Sequence, residues 1–202
     1  MPGININPNA GKTNHAVFLD RDGTINEDPG YLGEPELVKL FPGTGEALSI
    51  LKNELKFKLI VISNQSGIAR GILTKEKVNS VNAKINELLS VYNAEIDAFY
   101  YCPFHPDFSS EEECLCRKPS PKLIFDAQKD FNINLGSSFF IGDTAADIEC
   151  GMNAGLKTIL VKTGYGVDSF SILQKQNKFP TFVAENIREA CYFIKKDISG
   201  DN

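Results

Sequence analysis

Val17-Phe18-Leu19-Asp20-Arg21-Asp22-Gly23-Thr24 is the stretch of sequence that decides the fold. Its short apolar run predicts a buried strand, and two carboxylates follow that strand directly. In open α/β sheets, ligands bind at the carboxyl ends of the strands. Nearby carboxylates repel each other unless a cation or a shared proton separates them, and Mg²⁺ is a hard cation that prefers oxygen ligands. Asp20 and Asp22 are therefore candidate metal ligands, although Asp-x-Asp-Gly alone is also a common turn sequence.

The composition is that of an ordinary globular domain. The chain has 202 residues, of which 42% are hydrophobic and 23% are charged, and it has no apolar run near the roughly 18 residues of a membrane span. Residues 1–14 lack the apolar core of a secretion signal, so we expect a flexible leader, a single domain over residues 15–199 and a cytoplasmic location. The net charge of −5, without a basic cluster, argues against a nucleic-acid partner, whereas phosphorylated small molecules fit.

Strand-like apolar runs alternate with amphipathic segments, which predicts a doubly wound parallel α/β sheet. The segments after the first strand and before Lys118 are too short for a folded cap, so we expect no separate cap domain. Further strands are predicted at Phe57–Ile62, Asp97–Tyr101, Ser138–Ile141 and Thr158–Val161. Helices are predicted at Gly43–Leu55, from the N-cap Thr74 to Tyr92, from Ser120 to Phe131, from Ala145 to Gly155 and at Glu185–Lys196.

Polar residues follow several of the predicted strands. Asp20 comes after the first strand, Ser63 after the second and Asp143 after the fourth, while Lys118 lies just before a helix. Parallel strands end at one edge of a sheet, so these side chains are expected to converge there. A nucleophile, a hydroxyl donor, a fixed cation and metal-binding acids form the set that phosphoryl transfer requires. Asp147 has two interpretations, orientation of this site and capping of a helix.

Three motifs give these positions a specific resemblance. They are Phe18-Leu19-Asp20-Arg21-Asp22-Gly23-Thr24-Ile25-Asn26, Ser63-Asn64-Gln65-Ser66-Gly67-Ile68-Ala69-Arg70-Gly71 and Cys114-x-Cys116-Arg117-Lys118-Pro119. In their order, over about residues 16–165, the chain resembles the haloacid-dehalogenase-like phosphohydrolases. Within that superfamily, the motifs look like those of the D-glycero-D-manno-heptose bisphosphate phosphatases and the related histidinol phosphatases.

The resemblance implies a mechanism that passes through an aspartyl-phosphate. Asp20 would attack phosphorus, and Asp22 would act as general acid and then as general base. Ser63 and Lys118 would bind the transferring phosphoryl group. Mg²⁺ would be held by Asp20, the backbone carbonyl of Asp22 and Asp143.

The resemblance also implies a phosphorylated sugar as substrate. Removal of the C7 phosphate of D-glycero-D-manno-heptose 1,7-bisphosphate is favoured, and histidinol-phosphate hydrolysis is the alternative. Arg70 has two interpretations, a contact with a second phosphate and a solvated surface arginine. The implied substrate contacts are Asp28, Gly30, Tyr31, Asn64, Gln65, Ser66 and Arg117.

Two other functions remain as alternatives. A polynucleotide 3′-phosphatase would need a basic strand-binding groove, which an acidic chain does not favour. A phosphoacceptor switch of the response-regulator type would also combine Asp, Ser or Thr, Lys and Mg²⁺ on a parallel sheet. In such a switch, an acid–base group at Asp22 would shorten the life of the acyl-phosphate. We therefore predict an enzyme, and we expect a monomer.

The five cysteines predict a metal site rather than a disulfide framework, because their number is odd and three of them cluster within a short loop. The loop over residues 102–116 contains Cys102, His105, Cys114 and Cys116, a Cys₃His set suited to structural Zn²⁺. The resemblance places a histidine where this chain has Phe104. Either the loop shifts to use His105, or zinc has three protein ligands, or none binds.

Overall fold

A six-stranded sheet forms the centre of the protein, and the computed structural model describes residues 13–200. The strands are β1 Ala16–Leu19, β2 Lys58–Asn64, β3 Ala98–Cys102, β4 Phe139–Gly142, β5 Lys157–Val161 and β6 Phe182–Ala184. They lie in the order β3-β2-β1-β4-β5-β6, and every neighbouring pair is parallel. The doubly wound parallel fold predicted from the sequence is confirmed.

Seven α-helices lie between and after these strands within the described residues. Thr74 is the N-cap of the second, as predicted, because its side chain accepts a hydrogen bond from the Lys77 N–H. The helices are α1 Thr44–Ser49, α2 Lys75–Ser90, α3 Glu111–Cys114, α4 Lys122–Phe131, α5 Ala145–Asn153, α6 Gly166–Lys175 and α7 Ile187–Ser199.

The side chains of β1 alternate between two apolar layers. Val17 and Leu19 pack into a layer that also contains residues of α1, α2 and α7. Ala16 and Phe18 pack into a second layer with residues of α4 and α5. All four side chains are fully buried. A strand covered on both faces is apolar at every position, which is why this run has no polar residue before Asp20.

The sequence interpretation missed β6 and α6. β6 has three residues, too few for a recognisable alternating pattern, and α6 begins at Gly166, a residue of poor helix propensity that gives no N-terminal helix signal. The predicted helix over Gly43–Leu55 is divided, because α1 ends at Ser49 and Ile50–Glu54 continues as a π-helical turn. The other predicted elements are present with shifted boundaries.

The N-terminal boundary of the described domain lies just before β1. Residues 1–12, most of the predicted leader, fall outside the described residues. Asn14 already belongs to the fold, because it forms a parallel bridge with Ile133 and its N–H donates to the Asn132 carbonyl at 2.9 Å.

Between β1 and α1 the chain contains a single 3₁₀ turn, Pro35–Leu37, and no cap domain. None of the helices in residues 13–200 has the length and apolar character to cross a membrane.

The buried position of Ile60 in β2 gives a test of the core. This side chain is fully buried, so Ile60→Ala removes apolar contacts and leaves a cavity. We expect the substitution to lower the free energy of unfolding by about 2–5 kcal/mol, measured by urea denaturation. Ile198→Ala in α7 is the matched control, because Ile198 is 47% exposed. Equal losses in the two variants would contradict the assignment of Ile60 to the core.

Candidate active site

The carboxyl ends of the three central strands bring predicted site residues together. Asp20 follows β1, Ser63 lies near the end of β2, and Asp143 follows β4. Because β1 lies between β2 and β4, these three ends share one edge of the sheet. The N–H of Asp20 donates to the Ile141 carbonyl at 2.9 Å, which extends the pairing of β1 one residue beyond the strand. All three polar side chains are buried.

Lys118 reaches the same edge from the loop before α4. Its Nζ lies 2.7 Å from Asp20 Oδ1, 2.6 Å from Asp147 Oδ1 and 2.8 Å from the Ile62 carbonyl oxygen. Burial alone would lower the pKa of Lys118, but the carboxylates of Asp147 and Asp20 outweigh burial and raise the pKa above its ordinary value. The amide of Asn64 holds the Lys118 backbone, accepting from its N–H at 3.0 Å and donating to its carbonyl at 3.3 Å.

Three buried carboxylates form a group that could hold a metal ion. Asp20, Asp143 and Asp147 each offer an oxygen within 4.8 Å of the others, and no other such group occurs among the His, Cys, Asp and Glu side chains of residues 13–200. Burial, followed by the charge of Asp147, raises the pKa of Asp143 to about 7 and also raises that of Asp20. Lys118 supplies one positive charge against three acids. The remaining negative charge and the oxygen ligands fit Mg²⁺.

Asp147 has both roles that the sequence left open. Its Oδ2 accepts hydrogen bonds from the N–H of Thr144 at 2.9 Å and from the Thr144 hydroxyl at 2.6 Å, in a capping box at the start of α5. Its Oδ1 forms the ion pair with Lys118. Asp147 therefore caps a helix and holds the site lysine. Asp147 is the third member of the set of carboxylates that could hold a metal ion. The sequence analysis predicted a different third ligand, the backbone carbonyl of Asp22.

Asp143 is fixed against the loop that follows β1. The Thr24 hydroxyl donates to Asp143 Oδ1 at 3.0 Å, and the Tyr165 N–H donates to Asp143 Oδ2 at 2.9 Å. Gly23 has a φ of +85°, and a Cβ at this position would overlap the Asp143 carboxylate. The glycine of the motif is thus required both by its backbone conformation and by the close approach of the acid.

The Asp22 carboxylate accepts four hydrogen bonds. Arg21 Nε donates to Oδ1 at 3.0 Å and Arg21 Nη2 donates to Oδ2 at 2.7 Å. Asn26 Nδ2 donates to Oδ1 at 2.9 Å, and Gln65 Nε2 donates to Oδ2 at 3.1 Å. The same Gln65 nitrogen donates to Ser63 Oγ at 2.7 Å. A single amide therefore connects the predicted acid–base group to the predicted phosphate-binding hydroxyl.

Asp20, Asp22, Ser63 and Lys118 line a cavity of about 300 Å³. One wall is a turn in which the Gly30 N–H donates to Asp28 Oδ1 at 2.8 Å. Another is formed by Arg117, whose Nη1 donates to the Phe104 carbonyl at 3.3 Å and whose pKa is lowered by burial. All the predicted catalytic and substrate-contacting residues line the cavity: Asp20, Asp22, Asp28, Gly30, Tyr31, Ser63, Asn64, Gln65, Ser66, Arg117 and Lys118.

Four residues of the cavity wall were not among the predicted site residues: Gly67, Thr144, Ala146 and Tyr165. Tyr165 lies four residues after the end of β5, so the strand-end argument that found Asp143 could also have found it. Ala146 lies in the first turn of α5 and has no functional group that would single it out.

The cysteine loop differs from its prediction. Cys102 at the end of β3 forms a disulfide with Cys116, and their Cα atoms are 5.4 Å apart. The sequence predicted no disulfide framework and did not anticipate this single disulfide, which forms where α3 and the turn after it return the chain to the end of β3. Cys114 is free, and His105 Nε2 lies 2.9 Å from Arg70 Nη2. With two sulfurs bonded and a guanidinium against the imidazole, the four predicted zinc ligands do not form a zinc set in this arrangement.

Arg70 belongs to this loop contact rather than to the cavity wall. Besides His105, its guanidinium carbon lies 5.0 Å from the centroid of the Phe108 ring, and its Nη2 lies 4.0 Å from Asp107 Oδ2. Its positive charge also contributes to the lowered pKa of Arg117. Arg70 is thus neither freely solvated nor a lining residue of the cavity.

The raised pKa of Asp143 predicts pH-dependent stability. The pKa is about 7 in the metal-free fold, against an ordinary value of 3.8, so between these values the folded protein holds a proton that the unfolded chain lacks. Stability of the metal-free protein should fall as the pH rises through this window. Mg²⁺ competes with that proton, so we expect MgCl₂ to raise the Tm more at about pH 8 than at about pH 6.

Two variants make this measurement specific. Asp143→Asn should lose the pH-dependent gain in Tm, and Asp168→Asn, at an exposed position of α6, should keep it. The same gain at both pH values in the parent protein would contradict the assignment of Asp143 as a metal ligand.

Comparison with known proteins identifies the family. A family model described as HAD-hydrolase-like matches residues 115–190. A Chlorobaculum tepidum protein named D-glycero-D-manno-heptose-1,7-bisphosphate 7-phosphatase is 43% identical over 92% of this chain and 97% of its own length. A Pasteurella multocida protein named D-glycero-beta-D-manno-heptose-1,7-bisphosphate 7-phosphatase is 37% identical over 89% of this chain and 96% of its own.

A solved structure agrees with these relatives. The crystal structure of D,D-heptose 1,7-bisphosphate phosphatase from B. bronchiseptica, complexed with magnesium and phosphate, has a TM-score of 0.80 to this chain. The two sequences are 26% identical, and the match covers 91% of this chain and 99% of the other. The chain belongs to the D-glycero-D-manno-heptose-1,7-bisphosphate 7-phosphatase family of haloacid-dehalogenase-like hydrolases.

Proposed function

We propose that this protein hydrolyses a phosphomonoester through an aspartyl-phosphate on Asp20, and that it removes the C7 phosphate of D-glycero-D-manno-heptose 1,7-bisphosphate. The observation that carries the proposal is the convergence of Asp20, Ser63 and Lys118 in one cavity, with an Asp143 oxygen within 4.8 Å of an Asp20 oxygen. The names of the relatives and of the matched crystal structure support the substrate and the requirement for magnesium.

In the first half-reaction, an Asp20 oxygen attacks phosphorus and the bond to the sugar oxygen breaks. Asp22 gives its proton to that oxygen, so the sugar leaves as a neutral alcohol. Lys118 Nζ and Ser63 Oγ bind the non-bridging oxygens of the phosphoryl group. Bound Mg²⁺ would neutralise negative charge on these oxygens, and Asp20, Asp143 and the carbonyl of Asp22 would hold it, with Asp147 beside them.

In the second half-reaction, a water molecule attacks phosphorus in the aspartyl-phosphate. Asp22, now a carboxylate, takes a proton from that water, and the bond between phosphorus and the Asp20 oxygen breaks. Inorganic phosphate leaves and the Asp20 carboxylate is restored. The two half-reactions therefore use one acid–base group in opposite directions.

Arg117 favours the heptose bisphosphate over histidinol phosphate. Its half-buried guanidinium lines the cavity, and the charge of Arg70 lies close enough to affect its pKa. A bisphosphate brings a second anionic group to Arg117, and a guanidinium can bind phosphate with two hydrogen bonds. Histidinol phosphate instead brings an ammonium group, which the Arg117 guanidinium would repel.

We also propose that the protein works as a monomer in the cytoplasm, without a nucleic-acid partner. All residues of the candidate site belong to one chain, so a second copy need not complete it. The net charge of −5 gives no basic groove for a nucleic-acid strand. The odd number of cysteines, five, fits a reducing compartment.

Zinc binding stays a prediction for the reduced protein. In a reducing compartment the Cys102–Cys116 disulfide would open, and the loop would then offer three thiols, including Cys114. His105 could become a fourth ligand if it moved away from Arg70.

Elemental analysis tests the zinc prediction. Protein purified under reducing conditions should contain about one zinc per chain, as a tetrahedral structural site requires. Cys114→Ser should lose the zinc, and Cys150→Ser, at a buried cysteine outside the loop, should retain it. Reduced parent protein without zinc would contradict the prediction.

Substrate comparison tests the proposed function. We expect kcat/KM for the heptose bisphosphate to exceed that for histidinol phosphate by at least about tenfold, because Arg117 offers a guanidinium to a second phosphate. Asp20→Asn should lower kcat by about 10⁴-fold or more, since it removes the nucleophile. Asp168→Asn serves as the control and should leave kcat unchanged.

The possible results separate mechanism from substrate. A preference for histidinol phosphate would overturn the choice of sugar and leave the mechanism intact. Parent-like turnover by Asp20→Asn would overturn the mechanism. Phosphorylation of the protein without repeated turnover would support the phosphoacceptor switch instead.

A further inference from the structure

We propose that Arg21 is a positioning residue, which holds the Asp22 carboxylate in place for proton transfer and is itself held by Asn82 of α2. The proposal rests on the proposed function, in which Asp22 exchanges protons with the leaving sugar oxygen and with water. Arg21 stands between the two acids of the motif, and nothing in the phosphoryl-transfer chemistry itself assigns it a role.

The burial of Arg21 is the first observation. Arg21 has the largest fully buried side chain in residues 13–200, and this side chain is 1% exposed. A guanidinium loses its hydration in such a place, so the fold retains it only with well-placed partners. Arg21 does not line the cavity that contains Asp20 and Asp22. Its effect on substrate must therefore pass through another residue.

The second observation is the geometry of the pair with Asp22. Arg21 Nε and Nη2 donate to the two different oxygens of the Asp22 carboxylate, at 3.0 Å and 2.7 Å. Two parallel hydrogen bonds from a planar fork fix the plane of a carboxylate as well as its position. A lysine ammonium at position 21 would keep the charge but could not fix both oxygens in this way.

The third observation is that the guanidinium is anchored from elsewhere in the fold. Arg21 Nη1 donates to Asn82 Oδ1 at 3.1 Å, and Arg21 Nη2 donates to Gln65 Oε1 at 3.2 Å. Asn82 is 7% exposed and lies on the face of α2 that packs on the sheet. The loop after β1, the loop after β2 and helix α2 thus meet at one arginine.

This arrangement matters because proton transfer is sensitive to position. A general acid must lie within hydrogen-bond reach of the oxygen that it protonates, and small displacements slow the reaction strongly. The same Asp22 oxygen that Arg21 Nη2 holds also accepts from Gln65, which donates to Ser63 Oγ. Arg21 therefore sets the position of the acid relative to the residue that binds the phosphoryl group.

Two esters distinguish this role from a general structural one. A sugar phosphate releases an alkoxide that needs a proton, whereas p-nitrophenyl phosphate releases a stable anion that does not. We expect Arg21→Lys to lower kcat/KM for the sugar phosphate by at least about 30-fold and that for p-nitrophenyl phosphate by less than about threefold. A merely structural defect would lower both values by the same factor.

A double-mutant cycle tests whether Arg21 acts through Asp22. Added to Asp22→Asn, the Arg21→Lys substitution should lower kcat/KM for the sugar phosphate by less than about twofold, because its target is already lost. Asn82→Leu should also lower kcat/KM for the sugar phosphate more than kcat/KM for p-nitrophenyl phosphate. Asn86→Leu, one turn further along α2, is the matched control, because Asn86 bonds the Ile96 backbone instead.

The outcomes are decisive. Equal losses on both esters, or a full additional loss in the Asp22→Asn background, would overturn the proposal. If Arg21→Lys does not fold, the test rests on Asn82→Leu alone. The proposal is then overturned if Asn82→Leu and Asn86→Leu have the same ratio of kcat/KM for the sugar phosphate to kcat/KM for p-nitrophenyl phosphate. If the parent protein prefers another sugar phosphate, the heptose assignment fails and that ester replaces it in the comparison. If Asp22→Asn treats both esters alike, the acid role of Asp22 fails, and the proposal with it.

Discussion

Three carboxylates buried at one edge of the sheet are the constraint on which the rest of the structure depends. Asp20, Asp143 and Asp147 lie within reach of one cation, and Lys118 balances part of their charge. Buried charges are stable only when they are paired or bind a metal ion. An excess of negative charge at this edge of the sheet would destabilise the fold without a cation, and it suits a divalent cation.

The residues around the three carboxylates hold them in place. Gly23 leaves space for the Asp143 carboxylate, Thr24 and the Tyr165 N–H fix its two oxygens, and Thr144 holds Asp147. The parallel strands β2, β1 and β4 deliver these residues from distant parts of the chain to one edge. The positions of these residues are rigid, because β1 is packed on both faces and cannot shift without exposing its core side chains.

Much of the site follows from sequence because strand ends are recognisable. Apolar runs followed by Asp20, Ser63 and Asp143 place these residues at one edge once the sheet is parallel. Other features depend on side-chain pairs that periodicity does not reveal. The bond from Arg21 to Asn82 spans 61 positions, and the Cys102–Cys116 disulfide depends on how the loop folds back. β6 is too short to show an alternating pattern, and α6 begins at a glycine rather than at a recognisable N-cap.

The central claim is that Asp20 faces phosphorus beside a magnesium ion held by Asp143. A crystal structure of the protein with Mg²⁺ and beryllium fluoride, a phosphate mimic that bonds to aspartate carboxylates, tests it most directly. The account predicts beryllium fluoride on Asp20, with its fluorines near Lys118 and Ser63, and Mg²⁺ coordinated by Asp20 and Asp143. Beryllium fluoride on another residue, or Mg²⁺ bound away from these carboxylates, would contradict it.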